Sequence, residues 1–296
     1  MPQINLMIKY SILGFISLFV LLISNPLIAQ SDSLKKSAYR ARYFELKGSV
    51  SQLNVRDHLV SPLTQSGLQI GGFIGYKTMD FKRIIEVEAG GFTGNLTNDL
   101  NLNNTVHTSI QALGNFTYLH RILKTKSEKW RLFIGGEVSM WYAQRTNSNL
   151  FNASLVYDYH TDLLLSGYIE RGFEIKPLKY KLFKKQHSVI GGEYLFQFKA
   201  ATSVASNSIR TPYTIISYPD RNLTENENGF NGFNTRALVI TETALWHYLP
   251  NGNALKLGYD WYLSWLNRDA GKLEVAQHIF SFSFIFRINS KQDEGR

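Results

Sequence analysis

The chain has 296 residues, contains no cysteine, and carries 32 Lys and Arg against 23 Asp and Glu, which gives a formal charge of +9. The lack of cysteine excludes a disulfide framework, a thiolate metal site, a thiol nucleophile and a lipoprotein anchor. An apolar content of 44% with 19% charged residues excludes wholesale disorder. The positive charge leaves nucleic acid or an anionic surface as partners to consider.

The first thirty residues have the order of a secretory signal. Lys9 precedes an apolar run from Ile12 to Ile23, and the small residue Ala29 follows. The run is shorter than the roughly 20 apolar residues of a membrane-spanning helix. We predict a signal peptide over residues 1–29 and an N-terminal segment over 30–40; the alternative is a retained N-terminal anchor.

Apolar and polar residues alternate through nearly every later segment, as they do in strands whose two faces meet different surroundings. Turn-forming residues between these segments predict ten strands, at residues 41–56, 66–77, 83–96, 106–122, 130–145, 158–175, 187–201, 232–249, 254–266 and 272–288. Full strands within 202–231 and 152–159 would raise the count to twelve. The predicted fold is all-β, an antiparallel barrel over 41–288 with a C-terminal tail over 289–296.

The strands and their connections favour a barrel that crosses a membrane. Most predicted strands exceed the roughly 9–11 residues that span a bilayer, and short turns alternate with long polar loops. Aromatic residues toward the strand ends predict girdles at the membrane interfaces: Trp130, Trp141, Tyr142, Trp246, Tyr248, Trp261, Tyr262 and Trp265. The last strand carries four phenylalanines on one face, namely Phe280, Phe282, Phe284 and Phe286.

In these features the mature chain resembles the Gram-negative outer-membrane β-barrel superfamily. Its members commonly end in a strand of alternating aromatics that the barrel assembly machinery reads, although here Arg287–Arg296 extends past the last phenylalanine. The resemblance implies location in the cell outer membrane, with outer-membrane lipids and the assembly machinery as partners. The alternative is a soluble periplasmic β-sandwich or lipocalin-like binding protein, which would place its apolar face inside.

The polar face of the strands predicts what a barrel lumen would contain. Residues of both charge signs share this face: Glu86, Glu88, Glu137, Glu170, Glu193, Lys199, Arg236, Glu242, Lys256 and Asp260. Such a mixture favours a polar plug of paired charges, with a narrow channel as the alternative. Glycine pairs recur in mid-strand, as at Gly71-Gly72 and Gly90-Gly91, and are expected to leave room inside for large neighbouring side chains.

Two local patterns could carry chemistry at the outer mouth. His107 and Ser109 have the His-x-Ser spacing of outer-membrane lipid hydrolases, but their parity points them into the lumen. Asp158 and His160, followed by Asp162, resemble the Asp-x-His pair of the omptins, ten-stranded outer-membrane proteases. That resemblance implies that Asp158 orients His160 as general base. No Asp-x-Asp pair, which that family also uses, occurs in this chain.

The sequence therefore predicts an integral outer-membrane β-barrel with a structural, binding or narrow-channel role. The alternative is an omptin-like or metal-dependent hydrolase at the mouth. Thirteen basic residues in three segments, Lys77–Arg83, Arg121–Arg131 and Lys176–Lys185, predict a collar against lipid headgroups at the periplasmic end. No cofactor and no nucleic acid are expected, and the pattern leaves any small-molecule or surface ligand open.

Overall fold

The computed structural model describes residues 40–58, 63–80, 82–98, 106–124, 130–147, 155–176, 178–182, 185–189, 191–210, 229–231, 236–268 and 271–288. The predicted signal peptide, nearly all of the N-terminal segment and the C-terminal tail lie outside these residues. Among the residues described, no helix is long and apolar enough to cross a membrane.

The described chain consists of β-strands joined in sequence order. They are β1 (Arg40–Asp57), β2 (Thr64–Asp80), β3 (Arg83–Asn98), β4 (His107–Lys124), β5 (Trp130–Thr146), β6 (Leu155–Ile175), β7 (Leu178–Leu182), β8 (Lys185–Val189), β9 (Gly192–Arg210), β10 (Gly229–Asn231), β11 (Arg236–Tyr248), β12 (Ala254–Arg268) and β13 (Gly271–Ile288). Ten of them are long and pair antiparallel with both neighbours, with β6 bonded to β9 and β13 bonded to β1. The sheet is thus a closed ten-stranded barrel.

The three short strands lie outside this closed sheet of ten. β7 and β8 pair only with each other, as a hairpin in the connection from β6 to β9, and β10 adds three residues to the outer part of β9. The prediction of ten barrel strands is confirmed. The seventh predicted strand, 187–201, was misplaced, because its first part forms the hairpin and β9 continues to Arg210. Of the residues offered for a twelve-strand barrel, 155–159 extend β6, 202–210 extend β9 and 229–231 form β10, while 152–154 and 211–228 lie outside the described residues.

The strands have an apolar outer face and a largely polar inner face. On β1, Phe44, Leu46 and Val50 point outward and are 37%, 43% and 50% exposed, whereas Glu45 and Lys47 point inward and are buried. A soluble barrel would place these faces the other way round, because exposed apolar side chains are costly in water. The fold is therefore a transmembrane β-barrel, and the soluble alternatives are wrong.

The two ends of the barrel differ in their connections. At the end that holds Arg40 and Ile288, hereafter the terminal end, the connections are residues 81–82, 125–129 and 249–253 and the segment that holds β7 and β8. The opposite end, hereafter the loop end, holds the other connections, among them the long segment 211–228 and the short segment 269–270. On β1 the outward side chains turn polar before the strand ends, at Gln52 and Arg56, so Asp57 lies beyond the apolar belt of that strand.

Candidate functional site

The interior side chains form layers, and the first layer, the floor, lies at the terminal end. Trp246 is completely buried there and meets Tyr43 edge-on, with ring centroids 5.8 Å apart; Met79, Leu195 and Ile285 pack against them. Trp246 was predicted to belong to a membrane girdle, and this is wrong. It shares the inward parity of Glu242 and Ala244 on β11, so its indole faces the lumen.

Above this floor lies a central charged layer. It contains five cations and seven carboxylates: Lys47, Lys77, Arg131, Lys199 and Lys256 with Glu45, Glu86, Glu88, Glu137, Glu170, Glu242 and Asp260. All are buried or half-buried. Strand pairing brings inward side chains of different strands to the same level of the barrel. Residues far apart in sequence therefore come together in this layer, as Glu45 and Lys256 do.

Most charges in this layer are paired one to one. The Lys47 ammonium lies 2.7 Å from Glu88, Lys77 lies 2.9 Å from Glu86, and Lys256 lies 3.0 Å from Glu45. Arg131 lies 2.8 Å from Glu170, which also accepts a hydrogen bond from the Tyr168 hydroxyl.

Lys199 is shared between two carboxylates. Its ammonium lies 2.9 Å from Glu137 and 2.6 Å from Glu242. The layer leaves a cavity of about 40 Å³, lined by Lys199, Glu242, Asp260 and neighbouring side chains. A cavity needs about 10–15 Å³ of such volume to hold one water molecule. The layer therefore has room for solvent molecules.

An aromatic layer follows the charged one. Phe73 and Phe92 meet edge-on with centroids 5.1 Å apart, and Trp141 and Tyr262 pack against the same cluster. Trp141 and Tyr262 thus face the lumen, not the predicted girdles. The glycine pairs make this packing possible, because a Cβ at Gly71 would overlap the ring of its cross-strand partner Phe92. Likewise, a Cβ at Gly90 would overlap Phe73.

Amides and hydroxyls form the next layer. The Gln277 side-chain amide donates to the Ser51 hydroxyl at 2.7 Å and to the carbonyl oxygens of Gln69 and Gln111, each at 3.3 Å. Gln69 in turn donates to Ser109 at 3.1 Å. Buried amides need such partners, since an unsatisfied one costs free energy.

An arginine–aspartate pair crosses the lumen toward the loop end. The Arg236 guanidinium donates to both carboxylate oxygens of Asp162, at 3.0 and 2.9 Å, and to the Ser264 hydroxyl at 2.9 Å. Ser206 also donates to Asp162. All four side chains are buried. The two-point geometry fixes the pair in orientation as well as in distance.

Four charged residues are linked by ion pairs at the loop end of the lumen, and we name them the mouth clamp: Asp57, Arg145, Asp158 and Arg210. Each guanidinium bridges both carboxylates, with four N–O distances of 2.7 to 2.8 Å. Burial by itself would raise the pKa of the Asp57 carboxyl, but Arg145 and Arg210 together lower this pKa below its ordinary value. Asp57 therefore stays ionised and holds β1 against β5 and β9.

The residues proposed for catalysis are engaged in this end of the barrel. Asp158 accepts from Arg210 at one oxygen and from Arg145 at the other, and Asp162 is held by Arg236. The buried His160 ring stacks on Trp141, with centroids 5.0 Å and planes 9° apart. His107 lies within 3.2 Å of Gln65 and 3.1 Å of Asn147. The structure thus places all four inside the lumen, with both aspartates committed to arginines instead of activating a base.

The remaining lumen candidates fall at other levels. Glu193 is half-buried at the terminal end, opposite Glu174 in the register, and Arg236 belongs to the loop end. Three members of the predicted basic collar, Lys77, Arg121 and Arg131, have inward parity and lie inside the barrel, so their assignment to the collar is wrong. Lys82, Arg83 and Lys176 are exposed at the terminal end.

Sequence reasoning missed three of the four clamp residues. Asp57, Arg145 and Arg210 each stand at the loop end of a strand with inward parity. Parity alone could have found Asp57 and Arg145, because both predicted strands stop within one residue of them. Arg210 could not be found in this way, because the predicted seventh strand ended nine residues earlier.

Comparison with known proteins adds only a general likeness. No protein-family model matches this chain, and no curated protein matches it in sequence. Among solved structures, the transport unit of the autotransporter AIDA-I from Escherichia coli is 9% identical, with a TM-score of 0.38, over 90% of this chain and 96% of that one.

Two further structures are similar at the same level. The outer membrane protease OmpT from Escherichia coli is 10% identical, with a TM-score of 0.37, over 85% of this chain and 98% of that one. Neisserial surface protein A is 7% identical, with a TM-score of 0.27, over 83% and 97%. At these values the likeness carries no functional argument, and the closed strand pairing itself defines the fold. The chain is a closed ten-stranded transmembrane β-barrel, similar to outer-membrane β-barrels.

Proposed function

We propose that this protein is an integral outer-membrane barrel with a closed lumen, which anchors and presents its loop-end surface and does not conduct solutes. The observation that carries the proposal is the burial of inward side chains at every level. Trp246 at the floor, Ser51 in the amide layer and Asp158 in the mouth clamp are each 0% exposed. The walls of a water-filled pore would instead leave such side chains wet.

The surfaces of the barrel support location in the outer membrane. The apolar belt on the outside suits lipid chains, and exposed Lys82, Arg83 and Lys176 at the terminal end suit anionic headgroups. The outward row of phenylalanines on β13, from Phe280 to Phe286, is 41–63% exposed and is a candidate contact for the assembly machinery. The signal-like N-terminus is consistent with export, and the proposal assigns the terminal end, with its short connections, to the periplasm.

The charged layers argue for closure and against a narrow channel. A selective pore needs a ring of one dominant sign with free ligands for the ion. Here, five lysines and arginines in the central charged layer are already bound to carboxylates, and the mouth clamp has two charges of each sign. An ion would have to break these pairs in order to pass.

Electrical recording tests the proposal. We expect the purified protein in planar bilayers to show no steady conductance steps, while a mobility difference between unheated and boiled samples on electrophoresis verifies that it is folded. Trp246→Ala removes only the floor and is also expected to stay silent, because the charged and aromatic layers remain. Reproducible conductance steps from folded wild-type protein would contradict the closed lumen and support the channel alternative.

A further inference from the structure

Asp260 differs from every other carboxylate of the central charged layer. It is only 9% exposed, and its side chain lines the cavity within this layer. Within the part of the chain that the structure describes, no hydrogen bond or ion pair joins its carboxylate, whereas the other six carboxylates each have a cation within 3.0 Å. A buried carboxylate without such a partner is costly if it is ionised.

The groups around Asp260 do not supply the missing charge. Glu242 is its direct cross-strand partner on β11, so two carboxyl groups share adjacent inward positions. The nearest lysines are committed elsewhere, Lys47 to Glu88 and Lys256 to Glu45. On its other side, β13 presents Ile279 and Ser281, which carry no charge.

The charge balance of the whole layer points the same way. Seven carboxylates face five cations, so the layer carries two excess negative charges if every acid is ionised. A low-dielectric interior disfavours this surplus, and one proton on one of the acids would halve it. Among the residues described, no group of three or more His, Asp or Glu side chains is arranged to hold a metal ion. A proton needs no such set of ligands.

We propose that Asp260 is a proton-binding site, at which the folded barrel holds one proton at neutral pH beside the Glu242 carboxyl that Lys199 binds. The charged and titratable groups that face it are Glu242 on β11, Lys199 on β9, Lys47 on β1, Glu88 on β3, and Lys256 and Tyr262 on its own strand. The proposal concerns the folded barrel and does not depend on its role in the cell.

A proton on Asp260 makes the folding equilibrium constant fall as pH rises. An unfolded aspartate loses its proton near pH 3.9, so above this pH the folded state binds one proton more than the unfolded state. The folding equilibrium constant of the wild type should then fall about tenfold per pH unit, relative to a variant without this site, until Asp260 releases its proton. Raising the pH therefore lowers the stability of the folded barrel through Asp260.

The test compares Asp260→Asn with Asp162→Asn in urea unfolding, followed by tryptophan fluorescence in lipid vesicles from pH 5 to pH 9. Asp260→Asn mimics the protonated acid, so we expect it to be more stable than wild type already at pH 5, and the ratio of the two folding equilibrium constants should grow about tenfold per pH unit until Asp260 releases its proton. Asp162→Asn breaks a charged pair and should be less stable throughout. A destabilisation by Asp260→Asn at all pH values would show an ionised, paired aspartate and overturn the proposal.

Infrared spectroscopy gives a readout that does not require unfolding. At pH 7 the wild type should show a protonated-carboxyl C=O band that is missing in Asp260→Asn; the same spectrum in both proteins would overturn the proposal. Exchange of sodium for choline at constant ionic strength distinguishes the other source of positive charge. If sodium stabilised the wild type but not Asp260→Asn, the occupant would be an alkali ion and not a proton.

Discussion

The two ends of the polar interior use different ion pairs. The mouth clamp joins two arginines to two aspartates, and Arg236 joins Asp162 below it, so that each carboxylate there binds a guanidinium. The central charged layer instead joins mostly lysines to glutamates and leaves one aspartate over. A planar guanidinium fixes two oxygens at once, whereas an ammonium on a flexible chain acts as a point charge.

This difference separates two tasks within one lumen. Balanced two-point pairs at the loop end hold four strands in a fixed arrangement, because the pairs link β1, β5, β6 and β9 across the opening. The surplus of carboxylates in the centre makes that layer responsive to protons. We therefore expect substitutions at the loop end to cost stability at neutral pH, and substitutions at Asp260 to act through pH.

The largest effect is expected from Arg236→Met. This change leaves the Asp162 carboxylate buried without its cation, which typically costs about 3 to 5 kcal/mol of unfolding free energy. Urea unfolding in lipid vesicles measures the loss. The double variant Arg236→Met/Asp162→Asn removes the stranded charge and should recover part of it.

Arg56→Met provides the matched control on the outside of the barrel. Arg56 lies 4.0 Å from Glu274, and their side chains are 45% and 52% exposed. Exposed pairs contribute at most about 1 kcal/mol, so this variant should stay close to wild type. Equal effects of Arg236→Met and Arg56→Met would refute the distinction between buried and exposed pairs.

A smaller effect is expected from Asp57→Asn in the mouth clamp. The neutral amide oxygen accepts hydrogen bonds from Arg145 and Arg210 more weakly than the carboxylate, for which each such bond is worth about 1.5 to 3 kcal/mol, but Asp158 still receives both arginines. We therefore expect a loss of about 2 kcal/mol in unfolding free energy. Protease cleavage at the loop end, measured beside the unfolding curve, should also become faster. Unchanged stability and cleavage would mean that the clamp does not hold the mouth.

The smallest effect is the acid response of the clamp. The arginines lower the pKa of Asp57 in the folded state. The contribution of Asp57 to the free energy of unfolding is therefore complete above its pKa in the unfolded chain, about 3.9, and is lost as pH falls through its pKa in the folded barrel. Each pKa unit of lowering corresponds to about 1.4 kcal/mol. The stability difference between wild type and Asp57→Asn should therefore shrink below about pH 4. A difference that grows in acid would reverse the assigned sign.

Particular residues show what the pattern could and could not predict. Inward parity correctly predicts that Glu45 and Lys256 face the lumen. For Trp246 and Trp141 the position near a strand end suggests a girdle, but their parity is inward and they lie in the lumen. Asp158 and His160 resemble a catalytic pair in sequence, because the sequence does not show that Arg145 and Arg210 both bind Asp158. The bulge at Val204, where β9 shifts register against β6, has no local sequence signal.

The sequence alone determined the barrel, because a period of two with glycine at crowded positions and polar breaks between segments is a local property of each strand. The register between paired strands, by contrast, is not a local property of either strand. Closure of β13 on β1 and of β9 on β6 brings Asp57 to Arg210, and Glu45 to Lys256, over separations of 153 and 211 residues. Only that register decides which charges pair, and it leaves Asp260 as the one carboxylate of its layer without a cation among the residues described.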